Sequence, residues 1–161
     1  MAEIVKADVV NLATHYVVDP RSPMRSMLVL AKEPGRSERE ESDGGLRASE
    51  VYRLKLPRTR LVVLSACQTG IERSYSGEGA IGIARPFIKA GVPLVVASLW
   101  PVDSEATAEL IVKFHERRAR GLSSVEALTQ AQRELIENSN GRFREPYYWS
   151  AFSAIGGLAS F

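Results

Sequence analysis

A chain of 161 residues, 45% hydrophobic and 25% charged, has the size and composition of one globular domain with a sizeable core. Its formal charge of +2 is too small to indicate nucleic acid, and the basic runs "ERRARG" and "RFREP" are mixed with acids and lack interleaved aromatics. The lone cysteine excludes an internal disulfide and fits a cytoplasmic protein, and no stretch approaches the roughly 20 apolar residues of a membrane span. The N-terminus lacks the apolar run of a signal peptide, and the two histidines stand 100 residues apart, outside any metal-ligand spacing.

The first element is "ADVVNLAT" (7–14), a continuous apolar run that predicts a strand buried on both faces and ending on His15. "YVVDPRSP" turns, and "SMLVLAK" (26–32) predicts a second short strand. "EPGRSEREESDGG" is polar and aperiodic, an exposed loop, and "RASEVYRLKL" suits a short helix with Ser49 as a candidate cap. "TRLVVLSA" (59–66) is a strongly apolar strand that delivers Cys67 to the small-residue turn "CQTG".

"GAIGIARPFIKAG" has helical spacing, with Gly91 as its stop and Pro86 inside it. "VPLVVASLW" (92–100) predicts a third core strand. "SEATAELIVKFHERRARG" and "SSVEALTQAQRELIEN" predict amphipathic helices opened by serine, the first closed by Gly121. His115 falls on the first of these among Glu116 and Arg117, as a surface residue. "YYWSAFSAIGG" reads as a last strand. Strands alternating with helices predict an α/β domain with a mostly parallel sheet covered on both faces.

In such sheets functional groups gather beyond the carboxyl ends of the strands. Two strands lead to His15 and Cys67, and if they are neighbours, imidazole and thiol face each other across one crevice. A thiol with an ordinary pKa near 8.5 is mostly protonated at neutral pH, and a nearby histidine can take its proton and return it to a leaving amine. Backbone amides of Cys67 and Tyr16 can hold an oxyanion. The plainer reading makes Cys67 a small buried hydrophobe and His15 a turn residue.

Trp100 and Asp103 follow the third core strand, so an acid and an apolar wall reach the same edge. Asp103 or Ser104 can equally cap the next helix, and Glu78 has the same two roles open to it before a helix start. "GEGAIG" (Gly77, Gly79, Gly82) matches G-x-G-x-x-G, with Asp103 about twenty residues on. Ten residues separate Ala66 from Gly77, however, whereas the dinucleotide fingerprint begins directly at a strand's end.

"NLATHY", "LRASEVYRLKLPRTRLVVLSACQTG", "SGEGAIGIARPFIKAGVPLVVASLWPVDSEAT" and "PYYWSAFSAIGG" resemble the CHAT family over about residues 8–157. These are caspase-like domains, often fused to tetratricopeptide repeats and related to caspases, gingipains and separase. The resemblance implies a caspase-like three-layer α/β sandwich over residues 1–161 and a cysteine endopeptidase with His15 and Cys67 as its dyad. It implies an oxyanion site at the Tyr16 and Cys67 amides, and a substrate-binding acid, Asp103, with Trp100 and Glu78 beside it, selecting a basic residue before the scissile bond. A non-catalytic scaffold of the same fold is the alternative. No metal or organic cofactor is implied.

The expected partners are a protein or peptide substrate and an upstream tetratricopeptide-repeat module or second chain completing the sheet, with no nucleic acid and no membrane. The family usually has glycine where this chain has Tyr16. A glycine-dependent conformation there would strain tyrosine by about 1–3 kcal/mol. The family domain also carries sheet strands upstream of the histidine strand, so an exposed sheet edge is expected.

Overall fold

A computed structural model describes residues 4–31, 44–65, 79–101, 103–138 and 140–157. In chain order the strands and helices are β1 (Val9–Leu12), β2 (His15–Val17), β3 (Met27–Val29), β4 (Gly45–Arg47), α1 (Ala48–Val51), β5 (Leu61–Leu64) and α2 (Gly79–Lys89). They continue with β6 (Leu94–Ser98), α3 (Ser104–Ala119), α4 (Ser124–Asn138), α5 (Pro146–Trp149) and β7 (Phe152–Gly156).

The main sheet has the order β1-β5-β6-β7. β1, β5 and β6 run parallel, and β7 lies antiparallel against β6, with Ser98 opposite Phe152. β5 and β6 are buried along their whole length, as their unbroken runs of branched aliphatics predict. Alternation then splits their side chains between two cores. Leu61, Val63, Leu94 and Val96 join Leu110, Phe114, Ala131 and Leu135 of α3 and α4. Val62, Leu64, Val95 and Ala97 join Ile83 and Phe87 of α2, Val51 of α1, and Tyr16, Leu28 and Leu46. Helices therefore cover both faces of a mostly parallel sheet.

The helix ends follow local chemistry. Asp103 caps α3, and Ser123 caps α4 in a reciprocal box: the Glu126 amide donates to the Ser123 hydroxyl, and Ser123 N–H and O–H donate to the Glu126 carboxylate. Gly91 and Gly121 stop α2 and α3 with φ of +109° and +91°.

Several expectations need correction. The run at 7–14 is not one strand: it ends at Leu12, and His15 opens β2. β2, β3 and β4 form a separate antiparallel sheet, so "SMLVLAK" supplies a strand of that sheet and not of the main one. The helix in "RASEVYRLKL" is a single turn, and Ser49 lies inside it; the Glu50 carboxylate closes its start by accepting the Arg47 amide at 2.7 Å. Asp103, not Ser104, caps α3. His115 is half-buried rather than on the surface, with Nε2 enclosed and unpartnered among the described residues.

Candidate active site

Because β1, β5 and β6 are parallel, their carboxyl ends share one edge of the sheet. Leu12 lies opposite Leu64, and Leu64 opposite Ala97. Past that edge the chain continues to His15 from β1, to Cys67 from β5, and to Trp100 and Asp103 from β6. Cys67 and Glu78 fall outside the described residues.

His15 is exposed on β2 and Tyr16 is buried beneath it. The neighbouring Thr14 hydroxyl donates to the Val29 carbonyl, fixing the entry into the strand. The direction of the Tyr16 amide follows from the ladder. Leu30 N–H donates to the Gly44 carbonyl, and Ala48 N–H donates to the Ser26 carbonyl. In the β3–β4 register these pairs have the parity of Leu28 opposite Leu46, so the backbone groups of Leu28 turn toward β4. Those of Met27 and Val29 turn toward β2, where they meet Val17 and His15. The Tyr16 amide is thereby directed away from β3, to the other side of β2.

The strain expected at Tyr16 is absent. Among the described residues Asn140 is the one non-glycine with positive φ, so Tyr16 has extended backbone open to any residue. Its ring enters the core, and burial pushes the phenol pKa up from its ordinary value. The Ser26 hydroxyl, itself buried, opposes that shift from beside the phenol. Ser26 also accepts the Asp19 amide at 2.9 Å, while the Asp19 carboxylate accepts the Arg21 and Ser22 amides and pairs with Arg25. The loop between β2 and β3 is held through this serine.

Asp103 Oδ1 accepts the amides of Glu105 and Ala106, at 2.9 and 3.0 Å, and the residue is exposed. Trp100 packs on the core under α3 and α4, and its indole N–H donates to the Tyr147 carbonyl at 3.1 Å. The Ser98 hydroxyl donates to the Trp100 carbonyl, which ties the turn after β6. Close by, the Arg142 guanidinium pairs with Glu105. That pairing, with the charges of Glu109 and Asp103, pushes its pKa up.

The described part of the site therefore holds His15, the Tyr16 amide, Trp100 and Asp103 beyond one sheet edge, with Trp100 and Asp103 each also bonded into the fold. Sequence reasoning overlooked Ser26 and read Gly82 only as part of a G-x-G-x-x-G match; a hydroxyl opening the apolar run "SMLVLAK" was the available signal for Ser26. Among the described residues no group of three His, Cys, Asp or Glu side chains is arranged to hold a metal ion, and no helix is long and apolar enough to cross a membrane.

The arrangement is that of a mixed α/β domain whose chemistry-bearing residues follow the parallel strands. Residues 1–157 match the family model of the CHAT domain, and the chain belongs to that family. It is 34% identical over 111 residues to Tetratricopeptide repeat protein 28 of Homo sapiens and 31% identical to that of Mus musculus. Each match covers 69% of this chain, which spans 4% of either relative.

Proposed function

We propose that this chain is a caspase-like three-layer domain acting as a cysteine endopeptidase, with His15 and Cys67 as its dyad. One observation carries the reading: β1 and β5 are parallel neighbours with Leu12 opposite Leu64. His15 lies three residues beyond Leu12, and Cys67 lies three beyond Leu64. Equal reach from a paired position favours the meeting of imidazole and thiol at one crevice.

In this reading His15 takes the thiol proton as Cys67 Sγ attacks the scissile carbonyl carbon. The oxyanion is held by the amides of Tyr16 and Cys67, and the outward direction of the Tyr16 amide suits that role. Collapse breaks the C–N bond, His15 returns the proton to the leaving amine, and a thioester remains. Water, deprotonated by His15, then releases the acid product. Asp103 selects a basic side chain before the scissile bond, with Trp100 as an apolar wall and Glu78 as a second acid. The names of the relatives support a setting within a larger, repeat-containing protein, and the lone cysteine fits a cytoplasmic one.

A non-catalytic scaffold is the second reading. It is favoured by the structural bonds of the two residues assigned to substrate: Asp103 caps α3, and Trp100 is tied to Tyr147.

The test is the rate of Cys67 alkylation by iodoacetamide against pH, in wild type and His15→Ala. Rapid modification persisting well below about pH 8 and lost in the variant is expected for a poised dyad. An ordinary thiol titration, identical in both proteins, would overturn it.

A further inference from the structure

β2 is three residues long, and Tyr16 is its one buried residue, flanked by exposed His15 and Val17. Side chains alternate across a strand, so the depth and rotation of so short an element are set by where its single anchored side chain goes. Tyr16 is 5% exposed and belongs to the cluster containing Leu28, Leu46, Ile83 and Phe87. Its hydroxyl meets two further elements. One is Ser26, at the end of the β2–β3 loop. The other is α2, where a Cβ built on Gly82 would stand 3.6 Å from the phenol oxygen. α2 begins at Gly79, twelve residues after Cys67. A single side chain thus links the strand of His15 to the helix that follows the Cys67 segment.

We propose that Tyr16, tethered through its hydroxyl to Ser26 and seated against Gly82 of α2, is a positioning residue that fixes the His15 imidazole and its own amide relative to the Cys67 segment. The inference rests on the dyad reading. It adds a function for a side chain that the proposed chemistry does not use, and for a buried serine with no part in that chemistry. A tyrosine serving as core filler would need its ring alone. The hydroxyl distinguishes the two roles, because removing it leaves the ring's packing in place.

The experiment measures the pH dependence of Cys67 alkylation by iodoacetamide in the wild-type chain, His15→Ala, Tyr16→Phe and Ser26→Ala, with a thermal melt of each. Tyr16→Phe and Ser26→Ala are expected to keep a cooperative melt and to lose about fivefold in alkylation rate at pH 6.5, the size of one neutral hydrogen bond. Their profiles move toward that of His15→Ala. Wild-type profiles in both variants would overturn the inference, whatever the change in melting temperature. If Tyr16→Phe does not fold, Ser26→Ala decides, since it leaves Tyr16 intact. A wild-type chain whose profile does not depend on His15 would refute the dyad reading itself, and this inference with it.

Discussion

The Ser65 amide donates to the Leu12 carbonyl at 3.2 Å, carrying the parallel β1–β5 ladder one residue past the assigned strands. The two chains leading to His15 and Cys67 are therefore still paired as they leave the sheet. Under the proposed function, His15→Ala should lower hydrolysis of a peptide with a basic residue before the scissile bond by about 10²–10⁴-fold, the usual worth of a general base. His15 is exposed, so its loss should change stability by no more than about 0.5 kcal/mol. A fluorogenic peptide assay read beside a thermal melt checks both. Activity lost only in step with unfolding would assign His15 a structural role.

Asp103 has one observed role, the cap of α3, and one proposed role at the substrate, and conservative substitutions separate them. Its Oδ1 caps α3, and asparagine caps a helix about as well as aspartate does. Asp103→Asn should therefore keep the melting temperature, whereas Asp103→Ala should lose about 0.5–2 kcal/mol. Both remove the charge. If that charge selects a basic substrate residue, both should reduce the preference for arginine over an uncharged residue by at least about tenfold, as one charge-assisted hydrogen bond would. An unchanged preference in Asp103→Asn would leave the residue as a cap alone.

His115 should give the fold an acid sensitivity that begins as pH falls below about 6.5. Burial, with the Arg118 guanidinium as a second cause, pushes its pKa below the ordinary value of 6.5. As pH falls through that value the unfolded chain takes up the proton first. The stability His115 contributes is thus fully present above about pH 6.5 and lost as pH drops through the folded pKa. The lowered carboxyls of Asp8, Asp19 and Glu126 act in the same direction but at lower pH. His115→Leu also removes an enclosed, unpartnered Nε2 and keeps an apolar neighbour for Phe114, whose ring centroid lies 5.0 Å away. Urea midpoints between pH 7 and 5 should fall in wild type and fall less in His115→Leu. Parallel slopes would assign the acid sensitivity to other groups.

Local chemistry made much of this architecture readable. β5 and β6 announce themselves as unbroken aliphatic runs, and Gly91 and Gly121 mark the ends of two helices through a backbone conformation that other residues avoid. The small sheet was hidden because its pairings are non-local: His15 meets Val29, and Val29 meets Gly45. Nothing in "NLATHY" signals that the chain leaves one sheet at Leu12 and enters another at His15. His115 was misread for a related reason. Its side of α3 looks polar along the chain, and burial there depends on what packs around the helix. The positions of His15, Trp100 and Asp103 beyond strand ends were legible from the α/β alternation alone. The seat of Tyr16 was not, since Ser26 and Gly82 are 10 and 66 residues away in sequence.

Gly156 closes the antiparallel edge of the main sheet, and its substitution should be costly for two separable reasons. Its φ is +116°, where a side chain is strained. A Cβ there would also lie 2.4 Å from the Pro93 carbonyl oxygen and 3.6 Å from the Leu94 Cα. That oxygen cannot easily yield, because it accepts the Gly157 amide at 2.8 Å and precedes the first residue of β6. Gly121 is a control: its φ is +91°, but a Cβ would meet nothing within 4 Å. Gly121→Ala should therefore lose about 1 kcal/mol from backbone strain alone, and Gly156→Ala about 3 kcal/mol or more. In melting temperature the difference between the variants should be about 4–8 °C for a chain of this size. Because β6 leads to Trp100 and Asp103, a shifted β7 should, under the proposed function, also disturb the edge assigned to substrate, visible as a weaker preference for a basic residue in Gly156→Ala than in Gly121→Ala. Equal melting temperatures would show that β7 can slide away from Pro93, and that its register does not hold that edge.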